Sequence, residues 1–227
     1  MLDKIQIHIA DLLDKKSIKI KKSLTKRNLQ KFIQKYELTE IKKDKKVDLR
    51  FNPYECTNLY MIDALIESKE INTTDYILDI GSGTGIALIY LASKGFTNLF
   101  GIEHNKKLFD IAQNNLLKIP KNMRHISFFN EDALEFCIDD QITCFYLFNT
   151  FYDKNTYLDW LNRVKESLER NKRKIKIIIL FPTVASMGAM RDQTWLIEKG
   201  RILCSKQVCY RCVNYVIYEG KLWSKYC

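Results

Sequence analysis

No stretch of this 227-residue chain approaches the roughly 18 consecutive apolar residues that a membrane-spanning helix requires. Its first residues interleave Asp3, Lys4, His8 and Asp11 with apolar ones, so they lack the uninterrupted apolar centre of a secretory signal. Internal repeats and low-complexity segments are also absent. The seven cysteines are an odd number in a chain long enough to fold without covalent staples. That argues against a disulfide framework and points to free thiols in a reducing, cytoplasmic compartment. Cys204, Cys209, Cys212 and Cys227 tempt a zinc reading, but a second C-x2-C pair is missing and the first three fall in or beside predicted strands. No metal is expected.

What is present is the composition of a globular protein, 46% hydrophobic and 28% charged. The length suits one α/β domain with an appendage. The charge is uneven: residues 1–50 hold 15 Lys and Arg against 7 Asp and Glu, a net +8 out of +10 for the whole chain. We therefore divide the chain into a basic helical extension, residues 1–48, and a domain spanning 49–227. A basic cluster suits an acidic macromolecular partner, although a merely solvated lysine face is the plainer reading.

Ile5, Ile9, Leu12 and Leu13, then Leu29, Phe32, Ile33 and Tyr36, recur at helical spacing and predict two amphipathic helices before about Leu38. Asn52-Pro53-Tyr54 reads as a turn, followed by a helix from about Asn58 to Ile66. Short β-branched runs then alternate with helical ones. Tyr76–Ile80, Asn98–Ile102, Ile126–Phe129, Cys144–Phe148 and Ile175–Phe181 read as strands, and Ile86–Lys94, Lys106–Lys118 and Asn155–Glu169 as the helices between them. Leu203–Val208 and Val213–Tyr218 read as two closing strands. The alternation predicts an α/β fold with a doubly wound, mostly parallel sheet.

The densest signal is Asp79-Ile80-Gly81-Ser82-Gly83-Thr84-Gly85 between a strand and an apolar helix. Glycines at alternate positions permit unusual backbone angles and close ligand approach at the C-terminal edge of the sheet. A dinucleotide loop would need G-x-G-x-x-G, and the carboxylate of Asp79 would be unwelcome beside a diphosphate. Glu103 ends the second strand, where a carboxylate can accept both hydroxyls of a ribose. Glu131-Asp132-Ala133 follows the third strand, and Phe148-Asn149-Thr150-Phe151-Tyr152 the fourth.

The Asp-x-Gly-x-Gly-x-Gly loop resembles the cofactor loop of the class I methyltransferases, and the likeness extends over about Leu49 to Phe181. It implies a seven-stranded Rossmann-like sheet and S-adenosylmethionine as cofactor, held by Asp79, Gly81, Ser82, Gly83, Gly85 and Glu103. His104 would border the adenine and Asp132, beside Ala133, would accept from its exocyclic amine. Asn149, Phe151 and Tyr152 resemble the acceptor-facing Asn-Pro-Pro-Tyr/Phe of nucleic-acid amino-methyltransferases, with both prolines missing. Gly81-Ser82-Gly83, Gly101-Ile102-Glu103 and Asn149-Thr150-Phe151 also resemble motifs of histone lysine methyltransferases that lack a SET domain. Tyr54-Glu55-Cys56-Thr57 resembles a Tyr-Glu-Pro-Thr segment of bacterial methyltransferase-like proteins, which implies that Tyr54 and Thr57 cover the cofactor.

The resemblance thus implies methyl transfer to an acceptor whose class stays open: a protein lysine, a nucleic-acid base, or a small-molecule or saccharide hydroxyl. A non-catalytic binding protein that keeps the fold is the alternative. With His8 in the extension and His125 beginning a strand, no histidine general base is expected.

Overall fold

The computed structural model describes residues 27–41, 49–57, 59–202 and 215–220. The element order is α1 (27–35), α2 (Leu59–Glu67), β1 (Ile77–Ile80), α3 (Ile86–Ser93), β2 (Leu99–Ile102), α4 (Lys106–Lys118), a 3-10 turn (Lys121–Met123) and β3 (Ile126–Phe129). It continues with β4 (Cys144–Phe148), α5 (Lys154–Arg170), β5 (Ile175–Leu180), α6 (Val184–Arg191), β6 (Leu196–Ile202) and β7 (Tyr215–Gly220). The strands lie in the order β3-β2-β1-β4-β5-β7-β6. The first five are mutually parallel, and β7 then runs antiparallel to both β5 and β6.

Each central strand lies within one residue of its expected position because each is a short apolar run with helices on both sides. Every residue of β1 is buried, as it must be when neither sheet face meets water. Alternation splits these strands between two cores. Ile77, Cys144, Tyr146 and Ile178 pack with α2, α3 and α4, whereas Leu78, Ile80, Phe145 and Leu147 pack with α5 and α6. Asp79 shares its face with Ile77 and lies beside Tyr146 in register.

Leu29, Phe32, Ile33 and Tyr36 of α1 pack against the first core, and Leu38 is part of it. Fully buried Asn115 of α4 fastens this segment: it accepts from Thr39 N at 2.7 Å and donates to Thr39 O at 2.9 Å and Thr84 O at 3.0 Å. The helix expected around Ile5 to Leu13 lies outside the described residues, as do the strand expected at Leu203–Val208 and Cys204, Cys209, Cys212 and Cys227.

One expectation is corrected, and two elements appear that were not expected. Asn52-Pro53-Tyr54 is no turn: residues 52–57 run without regular structure, and Phe51 makes an antiparallel bridge with Phe151. Strand β6, Leu196–Ile202, was not expected, and the strand expected at Val213–Tyr218 overlaps β7, Tyr215–Gly220. Helix α6 was not expected, because Gly188 and Ser186 blur its apolar stripe; its start is nevertheless written as a capping box between Thr183 and Ser186. Among the described residues no helix is long and apolar enough to cross a membrane.

Candidate functional site

The C-terminal ends of β1, β2 and β4 open into a cleft of about 590 Å³ lined by residues that include Tyr54, Gly81, Glu103, His104, Phe148 and Asn149. A smaller cavity of about 290 Å³ shares Tyr54, Glu55, Gly81 and Phe148 with it and reaches Thr57 and Asp79. Together they form one site at the sheet edge where open α/β folds bind ligands.

The glycine loop is shaped from within. Gly81, Gly83 and Gly85 all have positive φ, of 79°, 56° and 75°, angles that side-chain-bearing residues adopt at a cost. The loop amides are already used: Gly81 N and Ser82 N donate to Ile102 O, Gly85 N to Ser82 O, and Gly83 N to the Glu103 carboxylate at 2.9 Å. A phosphate-binding loop would instead aim these N–H groups at its ligand. The other Glu103 oxygen accepts from Asn105 N at 2.8 Å and lies 3.4 Å from His104 Nδ1. Each oxygen keeps a lone pair for a ligand hydroxyl.

Asp79 is buried, and no hydrogen bond to its carboxylate forms among the described residues. Burial first, and the neighbouring Glu103 charge second, push its pKa up to about 8. A ligand cation is what such a group lacks. Burial likewise raises the Tyr54 phenol; its hydroxyl bonds that of Thr84 at 2.8 Å. The Tyr54 ring lies over Gly83 so closely that a Cβ there would meet it at 2.2 Å.

The remaining expected residues divide. Asn149 lines the cleft with φ 51°, the left-handed conformation that asparagine tolerates well. Phe151 instead points into the second core, fully buried against Tyr157 and Trp160, while Tyr152 is 68% exposed and outside the cleft lining. Gly85 faces Phe128 in the interior, and the Ser82 hydroxyl turns inward toward Gly101. Ala133 is buried in the second core. Asp132 accepts from Leu134 N at 2.9 Å and pairs with Arg50 at 2.9 Å.

Sequence reasoning missed Arg50, Phe51, Thr150 and Asn130. Phe51 is buried and stacks on His104 with centroids 4.0 Å apart and planes 18° from parallel. Thr150 donates to Ile80 O at 2.7 Å, tying the end of β4 to the loop, and Asn130 donates to the carbonyls of Glu103 and His104. Asn130 and Thr150, each within two residues of a strand end, carried a local signal.

Residues 77–171 match a family described as a methyltransferase domain. Over 77 residues the chain is 32% identical to EEF1A lysine methyltransferase 2 of Danio rerio, covering 34% of this chain and about a third (32%) of that protein's length. The fold is similar to that of an S-adenosylmethionine-dependent O-methyltransferase of Thermotoga maritima, with TM-score 0.56, 13% identity, and coverage of 76% of this chain and 69% of that one. It is also similar to magnesium protoporphyrin IX methyltransferase of Synechocystis PCC 6803, with TM-score 0.54, 13% identity, and coverage of 72% and 79%. The parallel strand order, the loop after β1 and the domain match agree: residues 77–171 match a methyltransferase domain, and the fold is similar to that of S-adenosylmethionine-dependent methyltransferases.

Proposed function

We propose that the chain is an S-adenosylmethionine-dependent methyltransferase whose acceptor is an amine of a protein, and that β6 and β7 complete the seven-stranded sheet of its family. The observation that carries the cofactor reading is the electrostatics of the loop. Its amides are internally consumed, and two carboxylates, Asp79 and Glu103, line the cavities. That environment offers a diphosphate few free donors beside the Glu103 charge, and it accommodates a ligand whose ammonium would favour the ionised form of Asp79.

In this reading Asp79 would face the ammonium, the free lone pairs of Glu103 would accept the ribose hydroxyls, and His104 and Asp132 would border the adenine. Tyr54 and Thr57 lie over the opposite end. When bound there, the cofactor would supply an activated methyl group on a positively charged sulfur, for transfer to a nitrogen lone pair. The chain's own part is positioning, with reacting atoms held at roughly 3–3.5 Å. Asn149, at the cleft wall, offers an amide oxygen to orient the acceptor nitrogen, and its proton passes to solvent.

An amine is favoured by Glu55, an acidic residue of the cleft lining not assigned to the cofactor, and by the relative named as a lysine methyltransferase. Hydroxyl and nucleic-acid acceptors lack that attraction. The test is transfer of isotope-labelled methyl groups to cell extract, followed by hydrolysis and amino-acid analysis. Label in methylated lysine is expected, and label recovered in nucleic acid or small molecules contradicts the acceptor class. Asn149→Ala should lower turnover at least tenfold with cofactor affinity little changed; the reverse pattern would move Asn149 into the cofactor site.

A further inference from the structure

The segment Arg50–Tyr54 touches three positions assigned above to the cofactor. The Phe51 ring stacks on His104 at 4.0 Å, Arg50 Nη1 donates to Asp132 Oδ2 at 2.9 Å, and Tyr54 covers Gly83. The Arg50 guanidinium also lies over the Phe51 ring, 5.1 Å from its centroid. A flat ring on His104 with an N–H donor directed at Asp132 is the pattern an adenine and its exocyclic amine would make. We infer that Arg50 and Phe51 form an internal substitute for the adenine, a strap that must leave its seat before the nucleoside enters. The inference rests on the cofactor reading above.

The strap is held by bonds that can be exchanged. Asn52 N donates to Thr150 O at 3.0 Å, Tyr152 N to Arg50 O at 3.0 Å, and Asn52 Nδ2 to Phe151 O at 2.8 Å. The Arg50 side chain is 48% exposed, so its ion pair is partly solvated and weak. Phe51 contributes most of the hold, because its ring is removed from water between His104 and the second core. A site open for only a fraction of the time binds more weakly by that fraction. Releasing the strap therefore raises cofactor affinity, and anything that competes for the strap controls the enzyme.

The experiment is titration of the full chain and of Arg50→Ala and Phe51→Ala with S-adenosylhomocysteine, paired with hydrogen exchange at the Asn52 and Tyr152 amides. Tighter binding by the variants, about three- to tenfold, and faster exchange at both amides on saturation are expected. Equal or weaker binding by Arg50→Ala, or slower exchange at those amides, overturns the inference while leaving the cofactor reading intact. Arg50→Ala serves this purpose even if Phe51→Ala fails to fold, since it alters a half-exposed side chain. Absence of binding by wild type and Arg50→Ala alike, at millimolar ligand, overturns both.

Discussion

The two walls of the cleft are built differently. The glycine loop, Gly81–Gly85, is locked by backbone bonds to β2, by the Glu103 carboxylate, and through Thr84 by the buried amide of Asn115. The facing strap, residues 50–54, is held by the bridge of Phe51 to Phe151, the Asn52 bonds to Thr150 and Phe151, the Tyr54–Thr84 hydroxyl bond, the stack of Phe51 on His104 and one half-exposed ion pair. Buried, fully satisfied polar networks hold one geometry, whereas a short segment without regular structure, joined to its neighbours by a few bonds, opens more readily. One wall is scaffold, the other is suited to movement.

The difference is most sharply broken by Gly85→Ala. Its φ of 75° and a Cβ position 2.5 Å from the Phe128 ring combine backbone strain with overpacking. A loss of about 2–5 kcal/mol is expected, read as a fall in the denaturation midpoint. Asn115→Ala should follow at about 1–3 kcal/mol, because Thr39 N and two carbonyls lose their buried partner. Arg50→Ala, on the opposite wall, should change stability by less than about 1 kcal/mol. If Arg50→Ala proved as damaging as Asn115→Ala, the two walls would be equally fixed.

Asp79 sharpens the comparison through pH. Its carboxyl ionises at about 8 in the fold against an ordinary value of 3.8, so between those values the folded chain holds a proton that the unfolded chain has released. Stability without cofactor therefore falls as pH rises through that window. Thermal midpoints measured from pH 5 to 9 should decline by several degrees in wild type and clearly less in Asp79→Asn. Parallel profiles would show that Asp79 is not held neutral.

The scaffold wall was legible in the sequence because its signals are local. The strand, the spaced glycines and the carboxylate of Glu103 lie between Ile77 and Glu103, and each reports its own backbone requirement. The strap was not, since Arg50 and Phe51 acquire meaning only from Asp132, His104 and Phe151, some 50 to 100 residues away, and Asn52-Pro53 locally mimics a turn. Phe151 was misleading for a related reason. Strand alternation continues past β4, and the bridge to Phe51 turns that ring into the second core rather than toward the cleft. Tyr152, the next residue, then faces solvent.

The cleft suits a cationic nucleoside cofactor rather than a dinucleotide. Calorimetric titration of the full chain with S-adenosylmethionine, S-adenosylhomocysteine and NAD tests it most directly. Saturable binding of the first two, lost or weakened by about 1.5–3 kcal/mol in Glu103→Ala, with none for NAD, is the predicted result. Binding of NAD, or an affinity for S-adenosylhomocysteine indifferent to Glu103→Ala, would contradict it.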